Sequence, residues 1–197
     1  DAVLEKIGLQ MTDLFSDAKP EPKATIIATY DYKDEKHNLL FQVVRYVPKS
    51  FRQRHKNGSG EWVWNLDGVR RVPYHLPDFM VFDKVFLVEG EKDADTLWNW
   101  AQPATTTAGG ASNWKPEYAE YFLDKDVVII PDKDAAGYAY ARTAAATLEG
   151  KAKSVSVIIL PGDKVKDTTD WFEQGGFYEE LLTLEQPVSV LFEQDKP

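Results

Sequence analysis

Cysteine is absent from the 197 residues, which excludes disulfides, thiolate metal sites and cysteine nucleophiles and suits a reducing compartment. Histidine occurs three times, as His37, His55 and His75, with no metal-ligand spacing. No apolar run approaches the roughly 20 residues needed to span a bilayer, and no charged-then-apolar signal pattern opens the sequence. The chain therefore reads as soluble, cytoplasmic and without a membrane partner. The lysine-containing P-loop pattern is missing too, which places any P-loop ATPase outside these residues. There is no internal repeat and no low-complexity tract.

Positive charge is also scarce, since 23 Lys and Arg face 32 Asp and Glu for a net charge of −9. Its distribution is uneven. Between Arg45 and Arg71 seven basic residues meet two acids, a local +5, so the remainder carries −14. A basic module precedes an acidic one, and overall charge conceals this.

What the sequence does have is a recurring arrangement in which an apolar run ends in acid. Val85-Phe86-Leu87-Val88 leads into Glu89-Gly90-Glu91-Lys92-Asp93, and Val127-Val128-Ile129-Ile130-Pro131 into Asp132-Lys133-Asp134. Val155 to Leu160 is followed by Asp167 and Asp170. Continuous apolar runs fit strands buried on both faces of a parallel sheet. In such sheets ligands bind beyond the carboxyl ends of the strands. Clustered carboxylates repel one another unless cations hold them, and oxygen-seeking Mg²⁺ or Mn²⁺ is the natural counter-ion.

The expected organisation has four parts. Residues 1–24 read as an N-terminal helix and linker, and residues 25–80 as a small basic β-rich subdomain. In the latter, Thr25–Tyr32 and Leu39–Tyr46 form a hairpin and Glu61–Asn65 a third strand. Residues 81–176 read as α/β, a parallel sheet with crossover helices at Asp93–Ala101, Lys115–Leu123 and Ala135–Leu148. The last is alanine-rich and ends at Gly150. A further helix starts over Asp170–Gln174. Residues 177–197 form a C-terminal helix, Tyr178–Leu184, and tail.

Val88-Glu89-Gly90-Glu91-Lys92-Asp93-Ala94, followed by Pro131-Asp132-Lys133-Asp134-Ala135-Ala136-Gly137, resembles the signature of the Toprim domain. That domain is shared by bacterial-type primases, type IA and type II topoisomerases, certain nucleases and a recombination mediator protein. Lys166-Asp167-Thr168-Thr169-Asp170-Trp171 is similar to the acidic motif that closes it in primases. The resemblance covers residues 82–175. Upstream, Phe41-Gln42-Val43-Val44-Arg45-Tyr46, Phe51-Arg52-Gln53-Arg54 and Trp64–Tyr74 resemble the segment before Toprim in primases and primase-helicases of phages and mobile elements. Gly8–Phe15 is similar to the stretch that follows their zinc-binding domain.

The resemblance implies a primase RNA-polymerase core that copies single-stranded DNA from ribonucleoside triphosphates, with a helicase module and a zinc-binding domain as neighbours. It implies Glu89 as the catalytic acid/base. Glu89, Asp132, Asp134, Asp167 and Asp170 are the expected ligands for Mg²⁺ or Mn²⁺. Gly90, Lys92, Asp93 and Lys133 are expected to bind nucleotide, and Arg45, Arg52, Arg54, Arg70 and Arg71 the template or RNA–DNA hybrid.

The chemistry stands without the family. Joining nucleotides requires an activated hydroxyl, a neutralised triphosphate and a stabilised leaving group, tasks that two divalent ions can share. The same acids would serve a Toprim nuclease or topoisomerase, although none of the nine tyrosines is marked as a nucleophile. A third possibility is a non-catalytic nucleic-acid-binding module, against which the intact acid set argues. Haloacid-dehalogenase-like phosphatases are excluded by Ala136 where they carry Thr or Val. Thr105–Ser112 offers backbone N–H groups to phosphate. Trp62, Trp64 and Tyr74 are candidates for base stacking or, more ordinarily, for the core.

Overall fold

The computed structural model describes residues 24–193, so the expected helix and linker over 1–24 lie, but for the last residue, outside the described residues. Two sheets make the frame. The first is antiparallel, in the order β1 (Thr25–Lys33), β2 (Leu39–Val47), β3 (Ser50–Lys56) and β4 (Trp62–Val63). A single helical turn, α1 (Leu76–Phe79), leads to the second.

That second sheet contains β5 (Lys84–Val88), β6 (Ala104–Thr105), β7 (Asp126–Ile130), β8 (Ser154–Ile158) and β9 (Glu185–Pro187), ordered β6-β5-β7-β8-β9. The first four run parallel and β9 is antiparallel to β8. Helices α2 (Glu91–Asn99), α3 (Ala135–Leu148), α4 (Thr168–Glu173), α5 (Tyr178–Thr183) and α6 (Val190–Glu193) accompany it. The fold is thus α/β, a parallel-rich sheet flanked by helices and preceded by a β-rich unit.

The apolar runs account for the centre. In β5 and β7 the four residues after the first are buried, as strands covered on both faces must be. Register then aligns their ends, with Val88 opposite Ile130, so that Glu89 and Asp132 emerge at the same sheet edge. The two sheets share one core. Tyr32 and Phe41, both fully buried, stack at 4.4 Å and belong to the same cluster as Val85, Leu87 and Ile129.

Several elements differ from expectation. The basic stretch Phe51-Arg52-Gln53-Arg54 lies within strand β3, where charged residues on one face conceal the alternation. Residues Pro116–Phe122 are 3₁₀ rather than α-helical. Helix α2 starts two residues earlier than expected, and its end is turned by Ala101 at φ 56°. The short strands β6 and β9 have no apolar run to announce them.

Helix α3 sits tightly on the strand end. A Cβ at Gly137 would lie 2.9 Å from the Asp132 nitrogen and closer still to its carbonyl oxygen. Alanine gains about 1 kcal/mol over glycine inside a helix, but overpacking against backbone costs about 1–3 kcal/mol or more. Gly137→Ala should therefore lower the unfolding midpoint in urea. An unchanged or raised midpoint would show that the helix can retreat from Asp132.

Candidate active site

The carboxyl ends of β5 and β7 face the antiparallel sheet across a cleft of about 790 Å³. Glu89, Asp93, Asp132 and Asp167 line one side, and Arg45, Lys49, Phe51 and Gln53 the other. Gly90, Lys92 and Lys166 also reach it. An acidic wall thus confronts a basic, partly aromatic one.

Burial and mutual repulsion set the charge state of the acidic wall. Asp132 is pushed up to about 7, chiefly by burial and then by Glu89, Asp93 and Asp167, with Lys166 opposing. Glu89 is also raised, by burial first and Asp134 next. Its Oε2 is buried without a hydrogen-bond partner. The Lys166 ammonium stands 3.7 Å from Asp132 and 3.2 Å from Asp134, the chain's own partial counter-charge.

Other acids are committed to structure. Asp134 caps α3 by accepting from the Gly137 N–H at 2.9 Å, which holds it below the usual carboxylate range. Asp167 caps α4, accepting from the Asp170 N–H at 2.7 Å, while Asp170 reaches back to the Lys166 N–H at 2.9 Å. This reciprocal pattern is close to a capping box. Asp170 does not line the cleft. Asp93 accepts from the Thr169 N–H and hydroxyl at 2.9 and 2.7 Å, joining α2 to α4, and burial followed by Asp167 raises it to about 6. Lys133 donates to the Gly162 carbonyl, away from the cleft.

Of the five arginines expected to bind template, only Arg45 lines the cleft. Its Nε is buried without a hydrogen-bond partner. Neighbouring strand residues point to opposite faces, and since Phe51 and Gln53 face the acids, Arg52 and Arg54 project the other way. Their guanidinium groups cover Trp64 at 4.4 Å and Trp62 at 4.1 Å, respectively. Arg70 forms a two-pronged pair with Glu35 at 2.9 and 2.6 Å and donates to the Tyr121 hydroxyl at 3.0 Å. Arg70 and Arg71 line a separate cavity of about 630 Å³ with Glu117 and Glu120.

Sequence reasoning missed Lys49, Phe51, Gln53 and Lys166 in the cleft. Lys166 adjoins Asp167 and was legible as a neighbour of the last acidic motif, but the side from which the others face it required the strand register. Glu91 was also missed as a link. It is buried, accepts from the Tyr32 hydroxyl at 2.8 Å and ties the antiparallel sheet to the start of α2.

Among the described residues, no three of His, Cys, Asp and Glu are grouped to hold a metal by themselves. Magnesium seldom asks for that. It takes one or two carboxylates and completes its shell with water and phosphate oxygens. The partnerless Glu89 oxygen and the raised Asp132 fit such a partial donor set.

Comparison with known proteins agrees with the fold. Residues 86–172 match the Toprim-like family model. No curated protein matches the sequence. Among solved structures, the primase fragment of the bacteriophage T7 primase-helicase protein is 23% identical, with TM-score 0.60, over 79% of this chain and 60% of that one. The E. coli primase catalytic core is 15% identical, with TM-score 0.63, over 98% and 67%. A DnaG primase catalytic domain bound to single-stranded DNA is 17% identical, with TM-score 0.62, over 84% and 55%.

The α/β part therefore has a Toprim-like fold. The chain as a whole has the fold of primase catalytic cores and spans about 60% of the phage fragment's length.

The electrostatics carry a pH signature. Asp132 titrates near 7 in the folded protein and about 3.9 unfolded, so the native state holds the extra proton between those values and stability falls as pH rises through that window. Asp132→Asn should raise the thermal midpoint at pH 8 and change it little below pH 4, where both states are protonated. An equal effect at both pH values in thermal melts would contradict the raised proton affinity of Asp132.

Proposed function

We propose that this chain is the catalytic core of a DNA primase, synthesising short RNA primers on a single-stranded DNA template. The observation that carries the reading is the facing of a basic wall and a carboxylate wall across one cleft on a Toprim-like frame. A template and a triphosphate need both, the first to hold phosphates and the second to serve the reacting end.

Glu89, Asp132 and, with its uncapped oxygen, Asp134 would hold Mg²⁺ or Mn²⁺, which would supply positive charge against the triphosphate and its leaving group. The remaining work falls to side chains. Glu89 Oε2, buried and with its proton affinity raised, would take the proton of an attacking 3′-hydroxyl. Lys92 and Lys166 reach the cleft as phosphate partners, and binding would draw Lys166 from Asp132. Gly90 lets the backbone at the start of α2 approach a phosphate. Arg45 and Lys49 hold the template or the RNA–DNA hybrid from the opposite wall. Asp93 and Asp167 set the shape of the acidic wall through their hydrogen bonds rather than by touching nucleotide.

Residues 25–80 act in this reading as the template-bearing subdomain and 81–176 as the catalytic one. A zinc-binding domain and a helicase module would lie in other parts of the polypeptide or in partner chains. No described helix is long and apolar enough to cross a membrane, and the function proposed belongs in the cytoplasm beside replicating DNA. A Toprim nuclease would use the same acids, which the test must separate.

Incubation with single-stranded DNA, labelled ribonucleotides and Mg²⁺ or Mn²⁺ should give labelled oligoribonucleotides. Glu89→Gln should lower their formation about 100-fold or more while leaving nucleotide affinity largely intact. Cleaved DNA without synthesis would replace the primase by a nuclease, and bound but unchanged DNA would leave only a binding module.

A further inference from the structure

Two large aromatic side chains are exposed where the cleft needs a ligand. Phe51 is 47% and Trp64 40% exposed, and both line the wall opposite the carboxylates. The other aromatic candidates are accounted for. Tyr74 is buried in the core, and Trp62 lies outside the cleft beneath Arg54 and Lys56. An exposed aromatic is ordinary when scattered singly, but these two share one concave surface with Arg45 and Lys49.

Their setting favours one kind of occupant. The Arg45 guanidinium lies 5.8 Å from the Phe51 centroid, so cation and ring present themselves together. Trp64 is backed by Arg52 at 4.4 Å and by Arg54 at 5.2 Å, contacts that restrain an indole at the edge of the sheet. Phosphates are repelled by the acidic wall and attracted to Arg45 and Lys49, which keeps a backbone on the β3 side. Planar bases on that backbone then meet aromatic faces. A positive groove with aromatic platforms is the physical recipe for sequence-tolerant binding of unpaired bases.

We propose that Phe51 and Trp64 form a stacking platform for the unpaired bases of a single-stranded nucleic acid in the cleft. The proposal rests on the nucleic-acid reading above and assigns the base contacts within it. Arg52 and Arg54 become positioning residues that act through Trp64 rather than ligands of phosphate.

The test compares a labelled single-stranded oligonucleotide with one of equal length built from abasic sites, using fluorescence anisotropy and the full chain. Phosphate contacts are common to both, so any preference reports the bases. The unaltered protein should prefer the base-containing strand by on the order of tenfold or more. Phe51→Ala and Trp64→Ala should each lose most of that preference while binding the abasic strand as before, and Phe51→Tyr should retain it. Phe51 is exposed, so its replacement tests the idea even if Trp64→Ala disturbs folding. Equal affinity of the unaltered protein for both strands, or an undiminished preference in Phe51→Ala, would overturn the platform while leaving nucleic-acid binding in place. Binding of neither strand would overturn both readings.

Discussion

Crowding of carboxylates at the ends of parallel strands is the constraint on which the rest of the structure turns. Parallel register delivers the residues after β5 and β7 to one edge, and those residues are acids. Burial is the first cause of the raised proton affinity at Glu89, Asp93 and Asp132, and repulsion between neighbouring acids adds to it. The fold softens the conflict locally. Asp134 and Asp167 are absorbed as helix caps, Asp93 is held by Thr169, and Lys166 lies between Asp132 and Asp134. Glu89 Oε2 accepts no hydrogen bond and is eased only through space, by Lys166 and Lys49, so that edge keeps an unused oxygen that fits a cation's partial donor set.

The opposite wall is held in place by contacts remote from the acids. The Tyr32 hydroxyl anchors the antiparallel sheet to Glu91 at the start of α2, two residues from Glu89. Arg70 clamps the β1–β2 turn, through Glu35, to Tyr121 beyond β6. These contacts link sequence-distant parts of the chain, and the continuous apolar core beneath them fixes the spacing of the walls. The arginine-rich stretch contributes in two different ways as a result. Arg45 faces the cleft, whereas Arg52, Arg54 and Arg70 brace the wall that carries it.

Legibility in the sequence followed the strength of the local signal. The runs ending at Val88 and Ile130 could only be strands covered on both faces, so the sheet and the meeting of Glu89 with Asp132 followed from pattern alone. Alanine content and Asp134 as cap made α3 equally plain. Strand β3 escaped because Arg52, Arg54 and Lys56 occupy its outer face and the polar Gln53 interrupts its inner one. Which arginine faces which wall depends on register, a tertiary property that charge counting cannot supply. Asp170 shows the same limit from the other side: its acidic motif was readable, but its carboxylate serves the Lys166 N–H. Tyr32 and Glu91 carried no local mark at all, being separated by 59 positions.

If the carboxylate edge binds a divalent cation as proposed, the cation displaces a proton that the metal-free edge retains. Carboxyl ¹³C NMR with and without Mg²⁺ measures this directly. Asp132 should titrate near pH 7 in the metal-free protein, and its midpoint should fall on adding Mg²⁺, because the cation stabilises the ionised form. A midpoint close to the ordinary 3.9 in the metal-free protein, unmoved by Mg²⁺, would contradict the account.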